Sequence, residues 1–232
     1  MQDLSGLTRE PPLSAVTGIG ESLTERAYRE LEEAIVTLRI APGAVVSEAA
    51  LSARLAIGRT PIREALQRLA RERLVMILPR RGIIVAEVNL NTQLRLIEVR
   101  RELEKLTARL AARRATAAQR SEFRAVAAGM RATAQHNDEV AFMRLDREFN
   151  QLVLAAARNE FAAGAMSLIH GLSRRFWYIH YKEVADLPLA ARLHAEVAEA
   201  VAAGIEAEAG RKSDALLDYI EAFARATVAA DS

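Results

Sequence analysis

Leu51–Leu66 reads LSARLAIGRTPIREAL. Ahead of it Ser47 is placed to cap a short helix whose inward side carries Ala50, Leu51 and Leu55. Ala56, Ile57 and Gly58 interrupt that helix as a turn. Thr60-Pro61 then opens a second helix, with Thr60 as cap and Pro61 at the first helical position, where a missing N–H costs nothing. Glu64 is spaced to bond back to that cap. Ile62, Ala65, Leu66 and Leu69 recur at three- and four-residue steps and form its buried stripe. The pattern is a helix-turn-helix whose second member begins with Arg59, Thr60 and Arg63. The first turn of such a helix is the part that enters the major groove of DNA. Arginine there reaches guanine O6 and N7 as a fork, and a threonine hydroxyl reaches phosphate.

Working outward, Tyr28, Leu31, Ile35 and Leu38 mark an earlier helix, opened by Ser22 or Thr24 and stopped at Ala41-Pro42-Gly43. After Arg73 the character changes to β. Leu74–Leu78 and Ile83–Val85 flank a turn of Pro79, Arg80, Arg81 and Gly82 and read as a hairpin. Helix, helix, turn, helix and hairpin is the order of a winged helix-turn-helix. Arg80 and Arg81 then sit at the wing tip, where they reach backbone or minor groove, and Gly82 permits close approach to DNA. Net charge over the chain is only +2, yet Arg54–Arg81 holds eight arginines against Glu64 and Glu72. That local excess of six positive charges is a phosphate footprint.

From residue 94 to 228 the chain is helical throughout, with breaks near 116–121, 136–138, Asn159, 186–188 and 204–213, giving about six helices. The fold class is mainly α: a flexible arm at 1–20, a winged helix-turn-helix at 21–88, and an all-α bundle at 94–228 joined through a short connector. Cysteine is absent, which excludes disulfides, thiolate metal sites and cysteine nucleophiles and suits a reducing cytoplasm. No apolar run approaches the roughly 20 residues of a membrane span, so no membrane partner is expected. The polar start lacks the pattern of a signal peptide.

The Leu51–Leu66 stretch, with Ala41-Pro42-Gly43 before it and Pro79–Gly82 after it, resembles the GntR superfamily. The resemblance implies a DNA-binding transcription regulator, with Arg59, Thr60 and Arg63 as DNA contacts and Gly82 as a wing contact. Two positions depart from the family pattern. Ala56 stands where glycine is usual and strains the turn, and Gly58 stands where serine is usual and removes a hydroxyl. The second half resembles the FCD domain of the FadR-like branch. Glu98–Glu104, Asp146–Asn150, Asn159 and His194 carry that likeness. It implies a homodimer that binds a palindromic operator and is switched by a small-molecule effector, most simply a carboxylate or sugar acid.

Helical periodicity supports a polar pocket in the second half. Phe142, Leu145, Phe149, Leu152 and Val153 line one face of a helix, with Asp146 inside that stripe and Asn150 at its edge. A carboxylate on an apolar face requires a partner or a metal. His194 borders a stripe of Leu193, Val197 and Val201, and Tyr219 sits among Leu216, Ile220 and Phe223. In the family an aspartate and three histidines hold a divalent ion. By that resemblance Asp146 and His194 match, Asn150 replaces a second histidine as an oxygen ligand, and Tyr219 replaces the last. One zinc, nickel or manganese ion per chain is the cofactor so implied. The alternative is a metal-free network around Asp146, which opens the site to larger ligands such as an acyl-CoA. Arg100 borders the stripe Leu96, Leu103, Leu106 and Leu110; the resemblance implies that it clamps an effector carboxylate, and the alternative is an exposed arginine paired with Glu104. Arg174 and Arg175 line the pocket or a dimer face, while His136, His170 and His180 read as surface or interhelical residues. An Asp146–His194 metal hydrolase has no nucleophile or phosphate loop to support it, and a sensorless architectural DNA binder has no use for such a pocket.

Overall fold

The computed structural model describes residues 21–78 and 82–230. The arm at 1–20 and the tip residues Pro79, Arg80 and Arg81 lie outside the described residues. The chain divides into two units, Met1–Val88 and Asn89–Ser232.

In the first unit, α1 spans Leu23–Val36 and Ser22 is its cap, accepting from the Glu25 N–H at 3.1 Å. Thr24 instead donates its hydroxyl to Glu64 at 2.7 Å. The helix ends sooner than the spacing of Leu38 suggests: Thr37 closes it and Leu38 turns left-handed at φ 59°. Next comes β1, Val45–Val46, a strand too short to show any alternation. Helix α2 spans Glu48–Leu55 under its Ser47 cap, with Leu51 buried, Leu55 half-buried and Ala50 exposed. Helix α3 spans Arg59–Arg71. Its N-cap is Gly58 and not Thr60, which lies in the first turn with Pro61. Proline is tolerated there because the first N–H groups of a helix have no intrahelical partner. No side chain caps α3, and the Glu64 carboxylate is taken by Thr24. The stripe of Ile62, Ala65, Leu66 and Leu69 is buried as expected, and α3 packs against α1, whose Leu31 and Ile35 are buried too.

The hairpin is the larger part of a three-stranded antiparallel sheet. Strand β3 (Gly82–Val85) is central, with β2 (Val75–Leu78) on one side and β1 on the other. The registers are Leu78 opposite Gly82 and Val45 opposite Ile84. Gly82 is demanded by the backbone itself. Its φ is +92°, and a Cβ there would stand 3.3 Å from the Val46 carbonyl oxygen.

Ala56 closes α2 in the left-handed region at φ 52° and ψ 39°. An L-residue with a Cβ pays about 1 kcal/mol there relative to glycine. Ala56→Gly is therefore expected to stabilise the chain by about 1 kcal/mol. Urea unfolding of the two chains side by side checks this, and an unchanged or lower midpoint refutes it.

The second unit holds α4 (Leu90–Arg114), α5 (Ala117–His136), α6 (Glu139–Ala157), α7 (Glu160–Val184), α8 (Leu187–Ala203) and α9 (Glu206–Ala230). Helix α4 begins at Leu90, inside the stretch read as a connector, because Asn89 caps it through the Thr92 N–H at 3.0 Å. Thr116 and Gln119 form a capping box at α5, and Asp138, Asn159 and Asp186 cap α6, α7 and α8. The Asn159 spacing thus has a local cause. The break expected over 204–213 shrinks to Gly204 and Ile205, since α9 starts at Glu206. Helix α4 packs along α9 and also meets α6, α7 and α8, while α5 packs along α8. That central position explains why burial on α4 departs from a simple stripe: Ile97, Thr107, Ala108 and Ala111 are buried, whereas Leu106 is exposed. Among the described residues no helix is long and apolar enough to cross a membrane.

Candidate functional site

On the first unit, Arg59, Thr60 and Arg63 are all exposed on the opening turn of α3. Arg63 is held in place: its Nε and Nη2 donate to the two oxygens of Glu48 at 2.9 and 2.7 Å. Hydrogen bonds from Arg63 keep the Glu48 carboxyl below its ordinary pKa. A guanidinium held in this way loses less rotamer freedom when it meets a ligand. Arg68 is different from the other arginines of this segment. Its guanidinium lies 3.6 Å from the centre of the Tyr28 ring and pairs with Glu72 and Glu25 at 3.2 Å each. Glu72 is buried and also accepts from the Tyr28 hydroxyl at 2.9 Å. Arg68 therefore ties α1 to α3, and the charge footprint facing solvent is smaller than the sequence count.

In the second unit, a cavity of about 560 Å³ opens among residues of α4, α6, α7, α8 and α9. Asp146, Asn150 and His194 meet on it. Asp146 is buried, with its Oδ1 at 3.3 Å from His194 Nε2 and its Oδ2 at 3.5 Å from Arg174 Nε. Asn150 Nδ2 donates to Asp146 Oδ1 at 3.1 Å and to the Asp146 carbonyl at 2.9 Å. His194 Nδ1 lies 2.8 Å from the Ala190 carbonyl, which fixes the ring. Phe142 and Phe149 meet that ring edge-on at 5.5 and 5.6 Å. Burial works to raise the Asp146 carboxyl. The hydrogen bond and charge of His194, with the charge of Arg174, outweigh burial and hold the pKa below its ordinary value.

Two expected members stand elsewhere in this network. Tyr219 lines the cavity, but its hydroxyl accepts from the Asp186 N–H at 3.0 Å and donates to the Asp186 carbonyl at 2.9 Å. Arg100 also lines the cavity, and its Nε pairs with Glu104 at 2.6 Å. The aspartate-and-three-histidine set is not completed by the residues present. Among the described residues no three His, Cys, Asp or Glu side chains converge as a metal site. Asn150 directs its amide nitrogen, and not its oxygen, at Asp146.

Helix α7 supplies one wall. His170 takes the interhelical of its two expected placements: it lines this cavity and a smaller neighbouring one of about 320 Å³ that also shares Asn150. Ser173, Arg174 and Trp177 join it on the wall. Arg175, next in sequence, is wholly buried. The signal for this face was the spacing of positions 170, 173, 174 and 177, which share one side of a helix. His136 is exposed, and His180 packs on Phe176 at 4.8 Å without itself lining the cavity.

His170 carries a pH consequence. Burial lowers its pKa below 6.5, and the nearby charges of Arg100 and Arg174 add to that, against the opposing pull of Glu104 and Asp146. The unfolded chain then takes up the proton first as pH falls. Stability is full above about pH 6.5 and declines below it. Urea unfolding of the wild type between pH 7.5 and 5 is expected to show this decline, and His170→Gln is expected to flatten it; equal slopes would refute the assignment.

Comparison with known proteins agrees with this geometry. Residues 95–219 match the FCD domain, and residues 23–85 match the bacterial regulatory proteins of the gntR family. The chain is 27% identical over 181 residues to the HTH-type transcriptional repressor RspR of Escherichia coli K12, covering 78% of this chain and 79% of that one. It is 31% identical over 128 residues to the Nta operon transcriptional regulator of Aminobacter aminovorans, covering 54% and 59%. In fold it is similar to E. coli McbR/YncC, with TM-score 0.74 at 18% identity over 90% of this chain and 99% of that one. It is also similar to a putative GntR regulator from Rhodococcus sp. RHA1, with TM-score 0.66 at 22% identity over 89% and 99%. With an exposed arginine-bearing helix-turn-helix in one unit and a polar cavity inside a helical bundle in the other, the chain belongs to the GntR family of transcription regulators, in the group that carries an FCD domain.

Proposed function

We propose that this regulator binds a palindromic operator as a homodimer, and that a small carboxylate in the cavity of the second unit switches its affinity for DNA. The observation that carries the reading is the exposure of Arg59, Thr60 and Arg63 together on the first turn of α3. These three are the DNA-contacting residues, with the wing residues Arg80, Arg81 and Gly82 reaching the adjoining backbone or minor groove. Arg100, Asp146, Asn150, His194 and Tyr219 belong to the effector site.

The dimer is supported by apolar side chains left on the surface of the bundle. Val99 and Leu106 lie seven residues apart on α4, and Phe161 and Leu168 seven apart on α7, a helix packed against α4. Phe161 is 83% exposed, an unusual state for so large an apolar group. A second copy would cover this face. Effector binding then acts by shifting the separation of two recognition helices, to which a two-half-site operator is sensitive.

Sedimentation of the full chain with a duplex selected from a random pool tests the reading. Two chains per duplex are expected, together with a steep fall of affinity with salt as phosphate contacts are screened. A single chain per duplex, with Phe161→Glu leaving the mass of the free protein unchanged, would refute the dimer. An operator affinity untouched by every compound of a carboxylate library would refute the sensor.

A further inference from the structure

We propose that this cavity binds an aromatic monocarboxylate directly, without a divalent ion, through Arg174, Ser173 and His170 on one face of α7. The proposal rests on the sensor reading above and deepens it by naming how the anion is held.

The positive charge that a metal would bring is already beside Asp146. Arg174 Nε stands 3.5 Å from Oδ2, while His194 and Asn150 engage Oδ1 at 3.3 and 3.1 Å. Both carboxylate oxygens therefore have partners, and an added dication would sit against a guanidinium. A guanidinium presents five N–H donors in a planar fork, enough to serve Asp146 and a second carboxylate together. Glu104 does not repel an incoming anion strongly, because Arg100 neutralises it at 2.6 Å.

Two further polar atoms point to a ligand. Ser173 is 7% exposed, and neither its Oγ nor His170 Nε2 has a hydrogen-bond partner among the described residues. Both residues line the cavity, one helical turn apart, with Arg174 next to Ser173. A buried polar atom left unpaired is costly, and a bound carboxylate satisfies the hydroxyl while Arg174 supplies the charge. The rest of the ligand meets aromatic walls. Of eleven aromatic residues in the chain, Phe142, Phe176, Trp177, Tyr219 and Phe223 line this one cavity. Such concentration favours a flat apolar body over a polyol.

Trp177 is the chain's only tryptophan and lies in the wall, so its emission reports binding. The full chain, purified without a histidine tag and dialysed against EDTA, is titrated with benzoate and with its neutral analogue benzamide. Benzoate is expected to change Trp177 emission saturably and to bind at least about tenfold more tightly than benzamide, as a charge-assisted bond requires. Adding zinc, nickel or manganese is expected to leave the curve unchanged. Arg174→Gln is expected to weaken benzoate about tenfold or more, and Ser173→Ala about threefold to tenfold. Cooperative urea unfolding shows whether each variant is folded. If Arg174→Gln is not, Ser173→Ala and the benzamide comparison still decide. Binding that returns only with added metal would overturn the proposal while leaving the sensor reading intact. Benzoate no tighter than benzamide would also overturn it, and the operator response to other compounds would then judge the sensor reading separately.

Discussion

Arg63→Ala is expected to weaken binding to the cognate operator by about 10- to 100-fold, the loss of one bidentate base contact. The effect has a specific shape. Affinity falls on the cognate duplex, discrimination relaxes at one base-pair position in each half-site, and the salt dependence stays nearly constant because no phosphate contact is lost. Arg63 is suited to this role because Glu48 already holds its fork extended at the start of α3, with 2.9 and 2.7 Å bonds. Arg59→Ala is expected to act alike at a neighbouring base. Arg68→Ala behaves differently: it removes the contact with the Tyr28 ring and the pairs with Glu25 and Glu72, so its cost appears in folding stability. Fluorescence anisotropy on cognate and single-substituted duplexes separates these outcomes. A uniform loss on every sequence after Arg63→Ala would mean that it touches phosphate only.

The second large effect is expected at Asp146. Asp146→Ala should destabilise the chain by about 3–5 kcal/mol, the range for removing one member of a buried ion pair. The carboxylate joins α6 to α8 through His194 and to α7 through Arg174, and it also receives Asn150. Its loss takes this partner from the buried His194 and from Arg174. Asp146→Asn keeps the shape and loses the charge, and should cost less. Urea unfolding of each variant, repeated in EDTA, reads the result. Identical values are expected with and without chelator. A loss below about 1 kcal/mol would mean that the cluster is not what joins these helices.

What could be read in the sequence was local. Ser47, the αL turn at Ala56 and the stripe of Ile62, Ala65, Leu66 and Leu69 act within a few residues, so the helix-turn-helix was legible. Asp146 and His194 were legible as polar groups inside apolar stripes. The misses were made by partners distant in sequence. Strand β1 is only two residues long and exists because β3 supplies its hydrogen bonds. The break read over 204–213 is mostly helix: α9 starts at Glu206 and runs through Gly210, which sits close against the Arg109 side chain on α4. Thr60 looked like the cap of α3 because it precedes proline, yet the helix begins two residues earlier from Gly58. The α7 wall was legible only as an alternative, Arg174 and Arg175 lining the pocket or a dimer face, because polar residues occur on several faces of that helix and only packing against α4 and α9 decides which are enclosed.

The most direct test is selection of duplexes by the full chain from a random pool, followed by sequencing of the bound fraction for the wild type and for Arg59→Ala. An inverted repeat is expected in the wild-type pool, with a guanine in each half-site that Arg59→Ala no longer demands. Enrichment of no common sequence, or of one that Arg59→Ala leaves unaltered, would contradict it.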